Sequence, residues 1–271
     1  MQQTLGLAWR CCGLPLGTVW ACLFCDYVLL TMAIPIFPLI HVSDFMTGLL
    51  FAAKAACQIV CAPLFSGFID RHIKGMILFG LALEISTLGI FATTFSYSCW
   101  MVARALSGVA SAALVSAGFA HLQRTFQVQE ERAMSMGLAT TGIIAGVCLG
   151  PVLGGTLYEV HPSMPFALLA FAELLLAAVV GTCLAQVTAP DAAKPDAVSM
   201  LSMLRCPDVS IVLGALTIAN AAIACLESTC ARYFMHTFGF SVGQVSWFYL
   251  TTSVPSCLTS GVAGPLSTRF G

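Results

Sequence analysis

The chain has 271 residues, of which 59% are hydrophobic and 8% charged, with a formal net charge of −1 and a mean hydropathy of +0.93. A charged share so far below the usual quarter or so excludes an ordinary water-soluble domain. The near-neutral balance by itself says nothing about an acidic or basic soluble partner, and no nucleic acid is expected. What remains is an all-α, multi-pass helical bundle whose main partner is the lipid bilayer.

Crossing a hydrocarbon core of about 30 Å takes roughly 20 apolar residues, and eight runs are long enough: 18–40, 44–68, 76–96, 98–122, 134–158, 164–187, 208–230 and 243–264. The first, preceded by Arg10, has the look of a signal peptide, but its length and its internal Asp26 argue for a retained span. Residues 1–17 then form a cytosolic N-terminus. Eight of the eleven Lys and Arg fall in that N-terminus or in the even-numbered loops: Arg10, Arg71, Lys74, Arg124, Arg132, Lys194, Arg205 and Arg269. Arg232 lies on the opposite side, so the positive-inside bias keeps the N-terminus in the cytosol.

Spans one to six follow one another closely and form an N-terminal half, 18–187. A polar stretch rich in Pro and Asp, 188–207, reads as a cytosolic linker, and 208–271 holds only two further spans. Transporters built from matched halves carry internal repeats. Here Ser66-Gly67-Phe68-Ile69-Asp70-Arg71-His72 follows span two and Gly264-Pro265-Leu266-Ser267-Thr268-Arg269-Phe270-Gly271 follows span eight. Six helices before the linker and two after it give the expectation of a chain truncated after its eighth helix.

Six ionisable residues lie inside the apolar runs: Asp26, Lys54, Glu84, Arg104, Glu173 and Glu227. A charge at bilayer depth costs at least about 2.5–3.5 kcal/mol, so such groups usually face a bundle interior or a water-filled path. Asp26 reads either as a carboxylate that meets a cationic ligand or a proton, or as half of a fixed ion pair with Lys54. Glu227 aligns with Asn220 two turns earlier, as a counter-ion in a pathway or as an interface residue beside Arg232. Arg104 reads equally as a gate and as a packing residue, and Glu84 and Glu173, without an assigned role, read as protonated and neutral in lipid or as paired with each other or with Arg104. Phe24, Tyr27, Phe37, Tyr158, Trp247 and Tyr249 could box a cation, although core packing suits most of them better. Cys22 and Cys25, spaced like a redox pair, read as small apolar side chains within a helix. The five His are scattered, and no metal site or catalytic motif is evident.

Span four carries Arg104-Ala105-Leu106-Ser107-Gly108, and in span five Gly142, Gly146, Gly150 and Gly154 recur every four residues, with Pro151 and Gly155 beside them. Such a face lets a neighbouring helix approach closely. These stretches resemble the R-x-x-x-G and G-x-x-x-G-P-x-x-G-G antiporter motifs of the major facilitator superfamily. Asp70 and Arg71 match the surviving part of its loop motif, a pair that could fasten cytosolic helix ends. Asp26 to Pro38, Gly48 to Ala55, Tyr158-Glu159 with Pro165-Phe166, and Asn220 to Glu227 narrow the resemblance to the vesicular amine transporters, which exchange monoamines or acetylcholine for protons. Tyr27 departs from that family's Asn, and only a few residues near His41 separate spans one and two.

The resemblance implies a major facilitator fold, complete in its N-terminal six-helix half, and a non-enzymatic, proton-coupled antiporter of organic cations working by alternating access. The proton gradient is its energy source, and no cofactor is expected. It implies a pathway containing Asp26, Lys54, Arg104, Asn220 and Glu227, with Asp26 and Lys54 paired across helices, in a vesicle or other endomembrane. A multidrug efflux antiporter of the same superfamily, and a truncated, non-transporting product that associates with a full-length relative, are the alternatives.

Overall fold

A computed structural model describes residues 2–40, 42–184, 205–251 and 255. Most of the expected linker 188–207, and the repeated loop motif at 264–271, lie outside the described residues. The regular structure described is all helical: α1 (Gln2–Met32), a short 3-10 turn (Phe37–Ile40), α2 (Asp44–Thr93), α3 (Tyr97–Thr125), α4 (Gln129–Val160), α5 (Met164–Cys183) and α6 (Pro207–Phe238). Residues 242–251 are helical as well. Gly239 ends α6 in the left-handed region at φ +67°, where a residue without Cβ carries no steric penalty.

The first element departs from the expected 18–40 at both ends. Helical backbone begins at Gln2, whereas the apolar stretch begins only near Gly13. The helix therefore starts well before the apolar stretch, because backbone hydrogen bonding need not stop where apolarity does. At the other end, Pro35 and Pro38 have no N–H to continue the ladder. The chain turns through three-residue bonds, Ile34 N to Thr31 O at 3.1 Å and Ile36 N to Ala33 O at 3.2 Å. That turn drives Phe37 into the interior, where it is fully buried near Phe91, Trp100 and Phe166. Phe91 stacks on Phe166 at 5.3 Å, and Phe37 meets Trp100 at 5.4 Å.

Spans two and three form one helical element of 50 residues. Straight, it would be about 75 Å long at about 1.5 Å per residue, more than twice the core thickness. Non-helical backbone at His72 (φ −140°, ψ 55°) divides it into two limbs. Lys54 and Glu84, about 45 Å apart on a straight helix, both reach Asp26, so the limbs fold back against each other. The bend is tied to its neighbours. Arg124 at the end of α3 donates to the Asp70 carboxylate at 2.6 Å and to its carbonyl at 3.1 Å. Lys74 donates to the carbonyl of Gly181 at 2.8 Å, a cation at the C-terminal, negative end of α5. Arg71 is exposed and makes no ion pair among the described residues; Asp70 reaches across to α3 instead.

Lipid is as apolar as a leucine side chain, so helices in a membrane are held by close packing and hydrogen bonds. The glycines of α4 supply the packing. A Cβ on Gly142 would sit 2.6 Å from the carbonyl of Trp20, and one on Gly146 would sit 2.7 Å from that of Phe24. Gly150 meets Thr31, and Gly154 meets Met32. Each four-residue step on α4 meets a similar step on α1, so the two helices run in the same direction with backbones nearly touching. Thr31 Oγ1 donates to the Gly146 carbonyl at 3.1 Å across the seam. Gly108 of α3 does the same against the carbonyl of Lys54 on α2, and Gly155 receives Ser246.

Gly146→Val should lower the thermal midpoint of the detergent-solubilised protein, at a cost of about 1–3 kcal/mol for overpacking. Gly137→Ala on the same helix has open space around it and should leave the midpoint unchanged or raise it; intrinsic fluorescence on heating checks both. Asp70→Asn, by contrast, should cost less than about 1 kcal/mol, because its side chain is 71% exposed.

Candidate substrate site

Asp26 stands at the centre of the bundle with no solvent exposure. Its Oδ1 accepts from Lys54 Nζ of α2 at 2.6 Å and its Oδ2 accepts from Ser111 Oγ of α3, also at 2.6 Å. Lys54 also donates to the Asp26 backbone carbonyl at 3.5 Å. One carboxylate therefore joins three helices. The placement follows from packing: the α4 glycines hold α1 from one side, and Gly108 lets α3 lie against the α2 backbone at Lys54. Charge-assisted bonds of this length are roughly twice as strong as neutral ones. Each Asp26 oxygen already accepts one of these bonds, so a cationic ligand at this carboxylate would compete with Lys54 for its charge.

Arg104 is also fully buried. It donates through Nη2 to the Leu30 carbonyl at 3.2 Å, at the frayed end of α1. Its guanidinium lies over the rings of Phe37 at 4.6 Å and Phe51 at 5.1 Å, within the roughly 6 Å range of cation–π attraction. Nε and Nη1 have no hydrogen-bond partner among the described residues. Of the aromatics considered for a cation box, Phe37 does face a cation, but that cation is Arg104.

Asn220 and Glu227 stand apart from this network. Asn220 is exposed on α6 and its amide donates to the Leu216 carbonyl at 2.8 Å. Glu227 is partly buried, within electrostatic reach of Arg104, and its backbone carbonyl accepts from Tyr249 at 3.4 Å. Arg232 does not pair with Glu227. It pairs with Asp44 at 2.9 Å, 188 residues earlier, and also donates to the Val42 carbonyl. At the same end of the bundle Glu159, closing α4, accepts from the Gly243 N–H at 2.8 Å. The first six spans thus grip the later ones where α2 starts and α4 ends.

Glu84 and Glu173 are buried beside Asp26, on the second limb of α2 and on α5. Cys22 and Cys25 are buried free thiols. Among the described residues, no three His, Cys, Asp or Glu side chains are placed to hold a metal ion. Ser111, Phe51 and Phe37's role as a platform escape a sequence reading. For Ser111 a signal exists: it lies seven residues after Arg104, two turns along one face. Phe51 carries no such mark, since its partner belongs to another helix.

Residues 19–271 match the family model described as the Major Facilitator Superfamily. The chain is 32% identical over 233 residues to the mouse vesicular acetylcholine transporter, covering 84% of this chain and 44% of that protein. It is 31% identical over 231 residues to the rat chromaffin granule amine transporter, covering 83% and 43%. The chain therefore spans less than half the length of these relatives. A crystal structure of a bacterial homologue of the human lysosomal transporter Spinster superposes with a TM-score of 0.77 at 16% identity, over 95% of this chain and 62% of that one. With six helices among the described residues long and apolar enough to cross a membrane and a family match over nearly its whole length, this multi-pass chain belongs to the Major Facilitator Superfamily, whose members are transporters and not enzymes.

Proposed function

We propose that the chain belongs to a proton-coupled antiporter of organic cations, with an amine as substrate and the N-terminus in the cytosol of a cell that loads vesicles or another endomembrane compartment. The observation that carries this reading is the Asp26–Lys54–Ser111 network, a carboxylate fully enclosed by three helices with an ammonium as its present partner. Stripping a buried carboxylate of the cation paired with it costs about 3–5 kcal/mol. A substrate ammonium that takes the place of Lys54 avoids that cost, because Asp26 passes from one cation to another. Two relatives that transport acetylcholine or amines by name give the substrate class its support.

Alternating access needs two parts that rock around such a site. The proposed parts are the six-helix half, 18–187, and the portion from 208 onward, joined by the 188–207 linker. The contacts Arg232–Asp44 and Glu159–Gly243 link these parts at one end of the bundle, the geometry of a closed gate on that side. Arg104, Asn220 and Glu227 complete the proposed pathway, with Glu227 near Arg104 at the seam between the parts. An efflux antiporter of the same superfamily would use the same geometry, and breadth of substrate separates the two: an amine loader prefers a few amines.

A second reading rests on α6. Its apolar window has no residue buried inside the bundle, so its faces are free to associate with a full-length relative. Co-purification of a tagged chain with such a relative, without uptake by the chain alone, would favour it.

In proteoliposomes with an imposed pH gradient, labelled acetylcholine or monoamine should accumulate with the wild-type sequence and fall to background in Asp26→Asn. Accumulation that persists in a well-folded Asp26→Asn protein would remove Asp26 from the pathway. Lys54→Ala leaves Asp26 uncompensated and should lower stability by about 3–5 kcal/mol. The exchanged pair Asp26→Lys with Lys54→Asp separates the roles: recovered stability without uptake marks Asp26 as a substrate ligand, whereas recovery of both marks the pair as structural.

A further inference from the structure

A carboxyl pair outside the Asp26–Lys54–Ser111 network takes no part in the exchange described above. Glu84 and Glu173 are both 0% exposed, and none of their four carboxyl oxygens has a hydrogen-bond donor among the described residues. Their side chains approach one another, and Glu84 also approaches Asp26. Asp26 can offer them nothing as it stands, since Lys54 and Ser111 occupy its oxygens and an ionised carboxylate only accepts. Around the pair stand Cys22, Cys25 and Asp26 from α1 and Lys54 from the first limb of α2, while Arg104 of α3 acts on Asp26.

Charge counting decides what the pair must hold. Three carboxylates set against the Lys54 ammonium and the Arg104 guanidinium, which acts on Asp26, would leave one negative charge uncompensated in the bundle interior. Two like charges about 4 Å apart repel by about 4 kcal/mol at an effective dielectric of 20, and the desolvation of each ion adds to that. A proton on one carboxyl removes a charge and also creates the missing donor, an O–H directed at the other carboxylate. Paired carboxyls at close range take this form in general, because both cannot ionise together. A metal ion would serve the same end, but the described residues include no group placed to ligate one.

From this geometry we infer that Glu84 and Glu173 form a proton-binding site, two carboxyls sharing one proton, adjacent to the carboxylate that meets the organic cation. Its use in transport rests on the antiport proposed above; its existence does not. When a cation enters beside Asp26, the added positive charge stabilises both glutamates as carboxylates. The shared O–H bond then breaks and the proton leaves to water on the open side. One positive charge enters and one leaves, so the net charge of the pocket is unchanged. The coupling group of this chain thus lies within the six-helix half, one side chain from Asp26.

Infrared difference spectroscopy of the full chain in lipid nanodiscs tests the site without any substrate. A protonated-carboxyl C=O band should be present at neutral pH, survive in Asp26→Asn, and be lost in Glu84→Gln and in Glu173→Gln, where the new amide donates to the remaining carboxylate. If a single variant does not fold, Glu84→Gln with Glu173→Gln, whose amides can bond each other, carries the same comparison. A band that is absent in wild type, that stays in these variants, or that responds to sodium and not to pH overturns the inference. Adding acetylcholine or a monoamine to wild type should then release protons to a pH dye, and the variants should bind the amine without release. Equal release from variants and wild type overturns the coupling role. No amine binding by a wild-type protein that shows the band would instead sink the antiport reading and leave the proton site standing.

Discussion

An ion pair in an apolar interior is the constraint around which the rest of this structure is arranged. Asp26 and Lys54 come from helices one and two, and neither could remain charged alone at that depth. Their 2.6 Å contact requires the α1 and α2 backbones to sit at a fixed spacing and height. Ser111 adds α3 to the same point, and the folded-back second limb of α2 and α5 bring two further acids beside it. Few alternative packings of these five segments would leave Asp26 matched to a cation. Fold specificity and the proposed cation site therefore rest on the same contact.

The surrounding elements keep that point dry and movable. On one side the aromatic group of Phe37, Phe91, Trp100 and Phe166 seals the interior, and Arg104 rests on its edge with two donor nitrogens to spare. On the other side, Asp70–Arg124 and Lys74–Gly181 hold the bend of α2 to α3 and α5 through contacts that water can reach and weaken.

Much of this could be read from residues alone, and the failures have physical causes. The first seven spans were legible because lipid imposes a minimum apolar length, while most of the eighth, 243–264, lies outside the described residues; the glycine repeat of span five was legible because its period of four matches a helix face. The ends were less so. Arg10 and the polar run Arg71, His72 and Lys74 suggested breaks, yet the backbone stays helical through nearly all of them, since polarity marks the interface and hydrogen bonding marks the helix. Partners distant in sequence were invisible. Nothing local says that Ser111 will meet a residue 85 positions earlier, or that Arg232 will choose Asp44 over the nearer Glu227. Glu84 and Glu173 were visible as anomalies with several readings open, neutral or paired with each other or with Arg104, and the hairpin of α2 set them beside one another and Asp26.

The seam between α1 and α4 bears on how such a protein changes its preferences. Between its terminal turns α4 carries no charged side chain, yet its glycines set how far α1, and with it Asp26, stands from the centre of the bundle. Gly150 meets Thr31 little more than one turn from that carboxylate. A methyl group added there would displace α1 bodily and change the reach from Asp26 to Lys54 without altering any residue that touches a ligand. The spacing around the Asp26–Lys54 pair can thus drift through an uncharged helix behind it, and two proteins with identical residues at that pair can differ in its geometry.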